Sequence, residues 1–345
     1  MAVSRSGALK ARARVTRAGA KLKFTEIGFG GTALGNLYRA LTERAARATL
    51  DGAWDAGIRY FDVAPTHGYG LAETRINGFF RHKARDDFLV ATTVGRRLRR
   101  LASGESRQEG DYFETPSRRC HDDYSYDGIM FGFDATLDRL GLDRIDVAFA
   151  HDLDPVPGVG DTNLRSFLDG GMKALTGLRD DGALAAIGAT VSDRKTAEVL
   201  ARHGGVDLFM LPGSYTLLRQ TALDGALRIA ADAGIGVVVG APFNTGVLAA
   251  GARRGARFDY REASRETLDR VKRIEAVCAT HKTKIADAAL RFALAHPAVC
   301  SVAVGVQSPA ECAKAAAATA AAIPAALWRD LKAEGLLRAD APVPR

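Results

Sequence analysis

Cysteine is scarce in this chain. Four occur in 345 residues, at Cys120, Cys278, Cys300 and Cys312. No two form a Cys-x-x-Cys pair and none has metal-ligand spacing, which excludes a disulfide scaffold and a zinc ribbon; they read as free thiols of a cytoplasmic protein. No run of 18 apolar residues exists, so no membrane-spanning helix and no membrane partner are expected. Linkers, internal repeats and a Gly-x-Gly-x-x-Gly after the first strand are also missing, and the last absence counts against an open dinucleotide-binding sheet. Residues 1–23 carry seven basic residues but no apolar block of signal-peptide length, and read as a flexible lead-in. The net charge of +8 is scattered, with no basic stripe interleaved with aromatics, so it reads as solvated surface and no nucleic-acid partner is expected.

What is present is strand followed by helix, repeated. Apolar runs at 24–29, 58–62, 88–92, 146–150, 185–189, 208–211, 236–240 and 301–304 predict eight strands. Helical spacing predicts helices over 42–56, 72–81, 126–140, 164–180, 194–203, 222–233, 264–280, 285–295 and 309–321, with Thr42 and Ser264 as caps. Eight such units imply a closed (β/α)8 TIM barrel over residues 24–337, with a C-terminal tail over 338–345. The stretch 96–124 has little periodicity and many charges, and reads as a long functional loop over the barrel mouth after the third strand. Its four arginines, Arg96, Arg97, Arg99 and Arg100, suit an anionic or polyhydroxylated ligand or simply a solvated surface.

In such a barrel the C-terminal strand ends converge on one pocket. Read in order they give Gly30-Gly31, Asp62, Thr92-Thr93, His151-Asp152, Ser192, Gly213-Ser214-Tyr215, Phe243-Asn244-Thr245-Gly246 and Gly305-Val306-Gln307. Polar groups and glycines recur at every end, which points to one small-molecule site. The most telling segment is Asp62-Val-Ala-Pro-Thr-His67-Gly-Tyr69-Gly70-Leu-Ala-Glu73, a carboxylate at a strand end followed by a Gly-rich turn carrying polar rings. His67 lies close enough along the chain for Asp62 to orient its imidazole and raise its pKa. A metal is not expected, because Asp62, His67 and His151 lack a short ligand motif.

Several segments in order resemble the aldo-keto reductases from about Phe24 to Leu337: Gly28-Phe-Gly-Gly-Thr-Ala-Leu-Gly-Asn-Leu-Tyr38, Tyr60-Phe-Asp-Val-Ala-Pro65, Asp123-Tyr-Ser-Tyr-Asp-Gly128, Leu140-Gly-Leu-Asp-Arg-Ile-Asp146, Tyr215-Thr-Leu-Leu218, Pro242-Phe-Asn-Thr-Gly246 and Pro324-Ala-Ala-Leu-Trp328. The nearest resemblance is to the bacterial branch that oxidises sugar lactols, such as fucose or galactose, and pyridoxal. It implies NAD or NADP as cofactor and a tetrad of Tyr, Lys, Asp and His. Asp62 and His151 match the Asp and His. His67 stands at the Tyr position and Thr93 at the Lys position, so the phenol and its activating cation are lost together. The resemblance makes His67 the replacement acid/base group, with Tyr69 as a weaker substitute. It places the cofactor against Gly30, Ser192, Tyr215 (stacked on the nicotinamide), Phe243, Asn244, Gly246 and Leu248 (a loop around the pyrophosphate), Gly305 and Gln307. Gln307 stands where an Arg grips the 2′-phosphate, and Ala315 where an Asn holds adenine. Three functions remain compatible with these letters: hydride transfer on a cyclic sugar-like or pyridoxal-like compound, a redox-free lyase, isomerase or hydrolase using His67, His151 and Asp62, and a non-catalytic ligand- or partner-binding protein. The oligomeric state is left open between monomer and homo-oligomer.

Overall fold

The computed structural model describes residues 9–105, 111–158 and 160–344. Eight strands alternate with helices: β1 (Ile27–Gly30), β2 (Tyr60–Asp62), β3 (Leu89–Val94), β4 (Ile145–Ala150), β5 (Leu184–Thr190), β6 (Leu208–Pro212), β7 (Gly236–Gly240) and β8 (Val299–Gly305). Each pairs in parallel with the next, and β8 pairs with β1 from Val302–Ile27 to Gly305–Gly30. The sheet is therefore a closed barrel, as expected. Strands such as β4 are buried along their whole length, because one face fills the barrel and the other meets the helices. Thr42 accepts the Ala45 N–H at 3.2 Å and Ser264 accepts the Thr267 N–H at 3.1 Å, so both expected caps form.

Two expectations are corrected. The lead-in is not ragged over its described part: Ala11–Val15 and Lys21–Thr25 form an antiparallel hairpin, with Ala11 opposite Thr25. Along Lys-Leu-Lys-Phe the lysines face solvent, while Leu22 and Phe24 enter the barrel floor with Tyr60, Val147, Phe149 and Leu208. The period of two is that of a half-buried strand, hidden by the basic composition around it. Phe24 and Thr25, expected in the first barrel strand, belong to this hairpin, and Phe24 meets Tyr60 edge-on at 4.9 Å. Arg12 fixes the hairpin from outside, binding Glu26 at 2.8 Å and the Val299 carbonyl at 2.9 Å.

The stretch after β3 is also ordered at its base. Arg96–Arg100 pairs antiparallel with Arg118–Asp122; residues 106–110 lie outside the described residues. No apolar alternation marks this hairpin, because acids rather than a core satisfy its arginines. Arg96 meets Asp122 at 3.2 Å, Arg97 meets Asp123 at 2.6 Å and Arg99 meets Glu105 at 2.6 Å. Much of the charge that suggested an anion site is thus neutralised locally. The tail is held too, since Lys332 Nζ donates to the carbonyls of Ala339 and Ala341.

Phe24→Ala is expected to cost about 3–5 kcal/mol, the usual range for emptying a buried aromatic position, with an unchanged m-value in urea unfolding. A loss below about 1 kcal/mol would mean that the hairpin is a surface appendage.

Candidate active site

The strand ends open into a cavity of about 1130 Å³. Its wall includes Gly30 from β1, Asp62 from β2, Thr93 from β3, Thr190 from β5 and Gly305 from β8, with His67 and His151 just beyond β2 and β4. Register explains this convergence. Gly30 pairs with Asp62 on one side and with Gly305 on the other, and the His151 N–H donates to Val94 at 3.0 Å, continuing the ladder past β4. The turn carrying His67 presses against the turn after β1. A Cβ on Gly35 would lie 2.4 Å from the His67 carbonyl carbon, and one on Gly68 (φ +69°) 2.3 Å from the Gly35 oxygen. Only glycine lets the two backbones approach so closely.

The protonation of His67 is fixed by backbone. The Ala64 N–H donates to His67 Nδ1 at 3.1 Å, so the ring hydrogen sits on Nε2. Burial, with His151 nearby, lowers its pKa to about 3. The expectation that Asp62 orients His67 and raises its pKa is therefore corrected: Nδ1 is occupied by a main-chain donor, and His67 is a neutral hydrogen-bond donor.

Asp62 behaves in the opposite way. Its Oδ1 is buried without a hydrogen-bond partner among the described residues, and burial raises its pKa to about 7. Thr93 Oγ1 is likewise buried and unpartnered.

His151 has a carboxylate at its back. Asp152 Oδ2 lies 3.3 Å from Nδ1 and is itself 3.2 Å from Arg96. Tyr124 donates its hydroxyl to the His151 carbonyl. Burial lowers the pKa of His151 and Asp152 works against that shift, so the ring is neutral at neutral pH. Asp152 is near but not in hydrogen-bonding geometry, so Nδ1 is buried without a hydrogen-bond partner among the described residues, and the ring lines the cavity.

The cofactor positions divide. Gly30, Phe243, Gly246, Gly305 and Gln307 line the cavity; Ser192, Tyr215, Asn244 and Leu248 do not. Ser192 is exposed and gives its N–H to Asp154 at 2.7 Å. Tyr215 is buried in the shell, 4.9 Å from the Phe292 ring and 5.7 Å from His296, so it cannot stack on a ligand in the cavity. The Asn244 side chain ties two loops, accepting from Thr216 Oγ1 at 2.5 Å and donating to the Gly213 carbonyl at 3.0 Å. Leu248 is core, and the N–H groups of Asn244, Gly246 and Leu248 are spent on the local turn. Tyr69 also turns away, buried at φ +55° with its ring edge-on to Tyr112 at 6.0 Å.

Several residues gave no signal in the sequence. Arg39 donates to Gln307 Oε1 at 2.7 Å across 268 positions, and the Gln307 N–H donates to Glu311 at 2.8 Å. Tyr38, Tyr260, Lys284 and Lys314 line the cavity. Arg257 lies 4.4 Å over the Tyr38 ring and 2.8 Å from Asp111, bridging loops after β3 and β7. Only closure of the fold brings these together. Among the described residues no cluster of three His, Cys, Asp or Glu side chains is set to hold a metal.

The wall does fit a dinucleotide. It extends from Asp62 to the helices Ile285–Ala293 and Pro309–Ala318, where Ile285, Leu290, Ala315 and Ala318 form an apolar slot beside Lys284 and Lys314. At Gly246 (φ +117°) a Cβ would meet nothing within 4 Å, which leaves room for an approaching group.

A model of the Aldo/keto reductase family matches residues 26–333. The chain is 39% identical to D-threo-aldose 1-dehydrogenase of a Pseudomonas species over 322 residues, 91% of this chain and 95% of that one. It is 32% identical to pyridoxal 4-dehydrogenase of Microbacterium luteolum over 327 residues, 92% and 95% of the two chains. The holo form of an aldo-keto reductase from Bacillus halodurans shares the fold, with a TM-score of 0.74 at 24% identity, covering 96% of this chain and 98% of that one.

The two perturbed groups have opposite pH signatures. Asp62 keeps its proton to about pH 7 when folded and loses it near 3.8 when unfolded. Its contribution to stability is full below about pH 4 and is lost as pH rises through 7. His67 protonates near 6.5 unfolded and about 3 folded. Its contribution is full above 6.5 and is lost as pH falls toward 3. Relative to wild type, Asp62→Asn should gain stability from pH 4 upward, reaching roughly 2–4 kcal/mol by pH 8. His67→Phe should instead gain as pH falls from 6.5. Urea unfolding at half-unit pH intervals reads both slopes, and a flat difference for either variant would refute the assignment to that residue.

Proposed function

The chain belongs to the aldo/keto reductase family, and from that membership we propose that it is an NAD(P)-dependent oxidoreductase of small cyclic sugar-like or pyridoxal-like compounds that transfers its proton through histidine. The named dehydrogenases it resembles support oxidoreductase chemistry, and a cavity of about 1130 Å³ with Lys284 and Lys314 on its wall supports the cofactor. When bound, the nicotinamide supplies the acceptor or donor of hydride. The rest of the chemistry is assigned to the chain's own side chains.

In the oxidative direction the substrate C–H leaves as hydride and its O–H leaves as a proton. His67 Nε2–H is a fixed donor to the substrate oxygen. It cannot also take the proton, because Nδ1 is occupied by the Ala64 N–H. His151 is the better base: neutral at pH 7, on the cavity wall, with the Asp152 carboxylate 3.3 Å from Nδ1 to favour the imidazolium that forms. The acid/base role expected of His67 therefore passes to His151, and that pairing of one donor ring with one acceptor ring carries the proposal. Thr93 supplies no charge. Arg39, held on Gln307, brings a guanidinium close to the position expected to meet a 2′-phosphate, so both NAD and NADP remain in the proposal.

A second reading rests on a separate observation. Ser192, Tyr215, Asn244 and Leu248 all lie off the cavity wall, and the same donor–acceptor pair of histidines would serve a redox-free isomerisation or elimination. Titration with NADH and NADPH, followed by nicotinamide fluorescence, separates the readings. Hydride transfer expects micromolar binding of at least one of them, and turnover of aldoses or pyridoxal that falls about 100- to 10,000-fold in His151→Phe while cofactor affinity stays within about threefold. Turnover without dinucleotide would establish the second reading; full activity in His151→Phe would remove His151 from both.

A further inference from the structure

We propose that Asp62 and Thr93 form a niche for a primary ammonium group carried by the ligand of this cavity. Two neighbouring strands present it. β2 ends in Asp62 and β3 carries Thr93 two residues beyond Ala91, the register partner of Asp62. Both side chains line the cavity, and each has a buried oxygen with no hydrogen-bond partner, Oδ1 of Asp62 and Oγ1 of Thr93. Leaving such atoms unsatisfied is costly in a low-dielectric wall, and most of all for a carboxylate.

Among the described residues no side-chain cation pairs with this carboxylate. Arg96, three residues after Thr93, is engaged by Asp122 and Asp152, each at 3.2 Å. The lysines of the cavity wall, Lys284 and Lys314, stand on segments that follow β7 and β8. His67 keeps a fixed neutral ring. The missing partner is thus a donor-rich cation that arrives with the ligand. A primary ammonium brings full charge and three N–H donors without an acceptor, enough for Oδ1, Oγ1 and one further contact. A quaternary ammonium has the charge but no donor and leaves both oxygens unsatisfied.

Binding of this kind needs neither dinucleotide nor hydride transfer, so its test is independent of the proposed reaction. Methylammonium chloride is titrated at pH 8 and constant ionic strength, with saturable binding read by ligand-observed NMR. Wild type should bind it, and Asp62→Asn, which keeps the side-chain shape, should bind it roughly 10- to 100-fold more weakly. Thr93→Val should weaken it by a smaller factor. Thr93→Lys, whose own ammonium reaches toward Asp62, should abolish it while circular dichroism shows the fold intact. Absence of saturable methylammonium binding to wild type, equal affinity in Asp62→Asn, or equally tight binding of tetramethylammonium would each overturn the assignment.

Discussion

The whole site depends on the pairing of β8 with β1. Gly30 is the hinge of that closure, standing in register with Gly305 on one side and with Asp62 on the other. An open sheet would leave those strand ends strung along an edge, wet and far apart. Closure turns them into a ring around a partly dehydrated space. Dehydration then sets the chemistry: it makes both histidines neutral and pushes the aspartic acid toward neutrality. The residue types alone would permit several charge states, and the closed wall selects one.

Against that background the two histidines differ only in what stands behind Nδ1. His67 has a main-chain donor there and His151 a carboxylate. The main-chain donor fixes the tautomer of His67, whereas the carboxylate beside His151 only favours its protonated form. In the proposed reaction the first ring would donate to the substrate oxygen and the second would take the proton, without a phenol or a lysine. This arrangement asks of the fold only a tight turn at Ala64–Gly68 and an aspartate one residue after His151.

Much of this was legible in the letters. Repeated strand–helix units gave the barrel, and Thr42 and Ser264 gave helix starts, because these signals are local and periodic. Asp62, His67, Thr93 and His151 were placed on the cavity because strand ends must converge. What was not legible is non-local. Nothing in the text around Ala64 announces that its N–H will reach His67. The resemblance implies a stacking platform at Tyr215, whereas its ring packs against Phe292 and His296 in the shell. Arg39 and Gln307 are 268 positions apart and meet only across the closed barrel. The two hairpins are hidden for different reasons: lysines submerge the period of two along Lys21–Thr25, whereas Arg96–Arg100 and Arg118–Asp122 have no apolar alternation to read.

The same closure has a temporal side. β1 leaves the ribosome some 270 residues before β8, its partner on one flank. At ordinary elongation rates that is on the order of 10–50 s during which one edge of Ile27–Gly30 has no strand to pair with. Both strands of the hairpin Ala11–Val15 and Lys21–Thr25 precede β1, while its Arg12 and Phe24 contacts wait for Val299 and Tyr60. The hairpin gives the nascent strand an early neighbour, and its charged outer positions, Lys21 and Lys23, disfavour pairing with another chain. A segment whose composition reads as a flexible lead-in thus places charge beside the strand that is paired last.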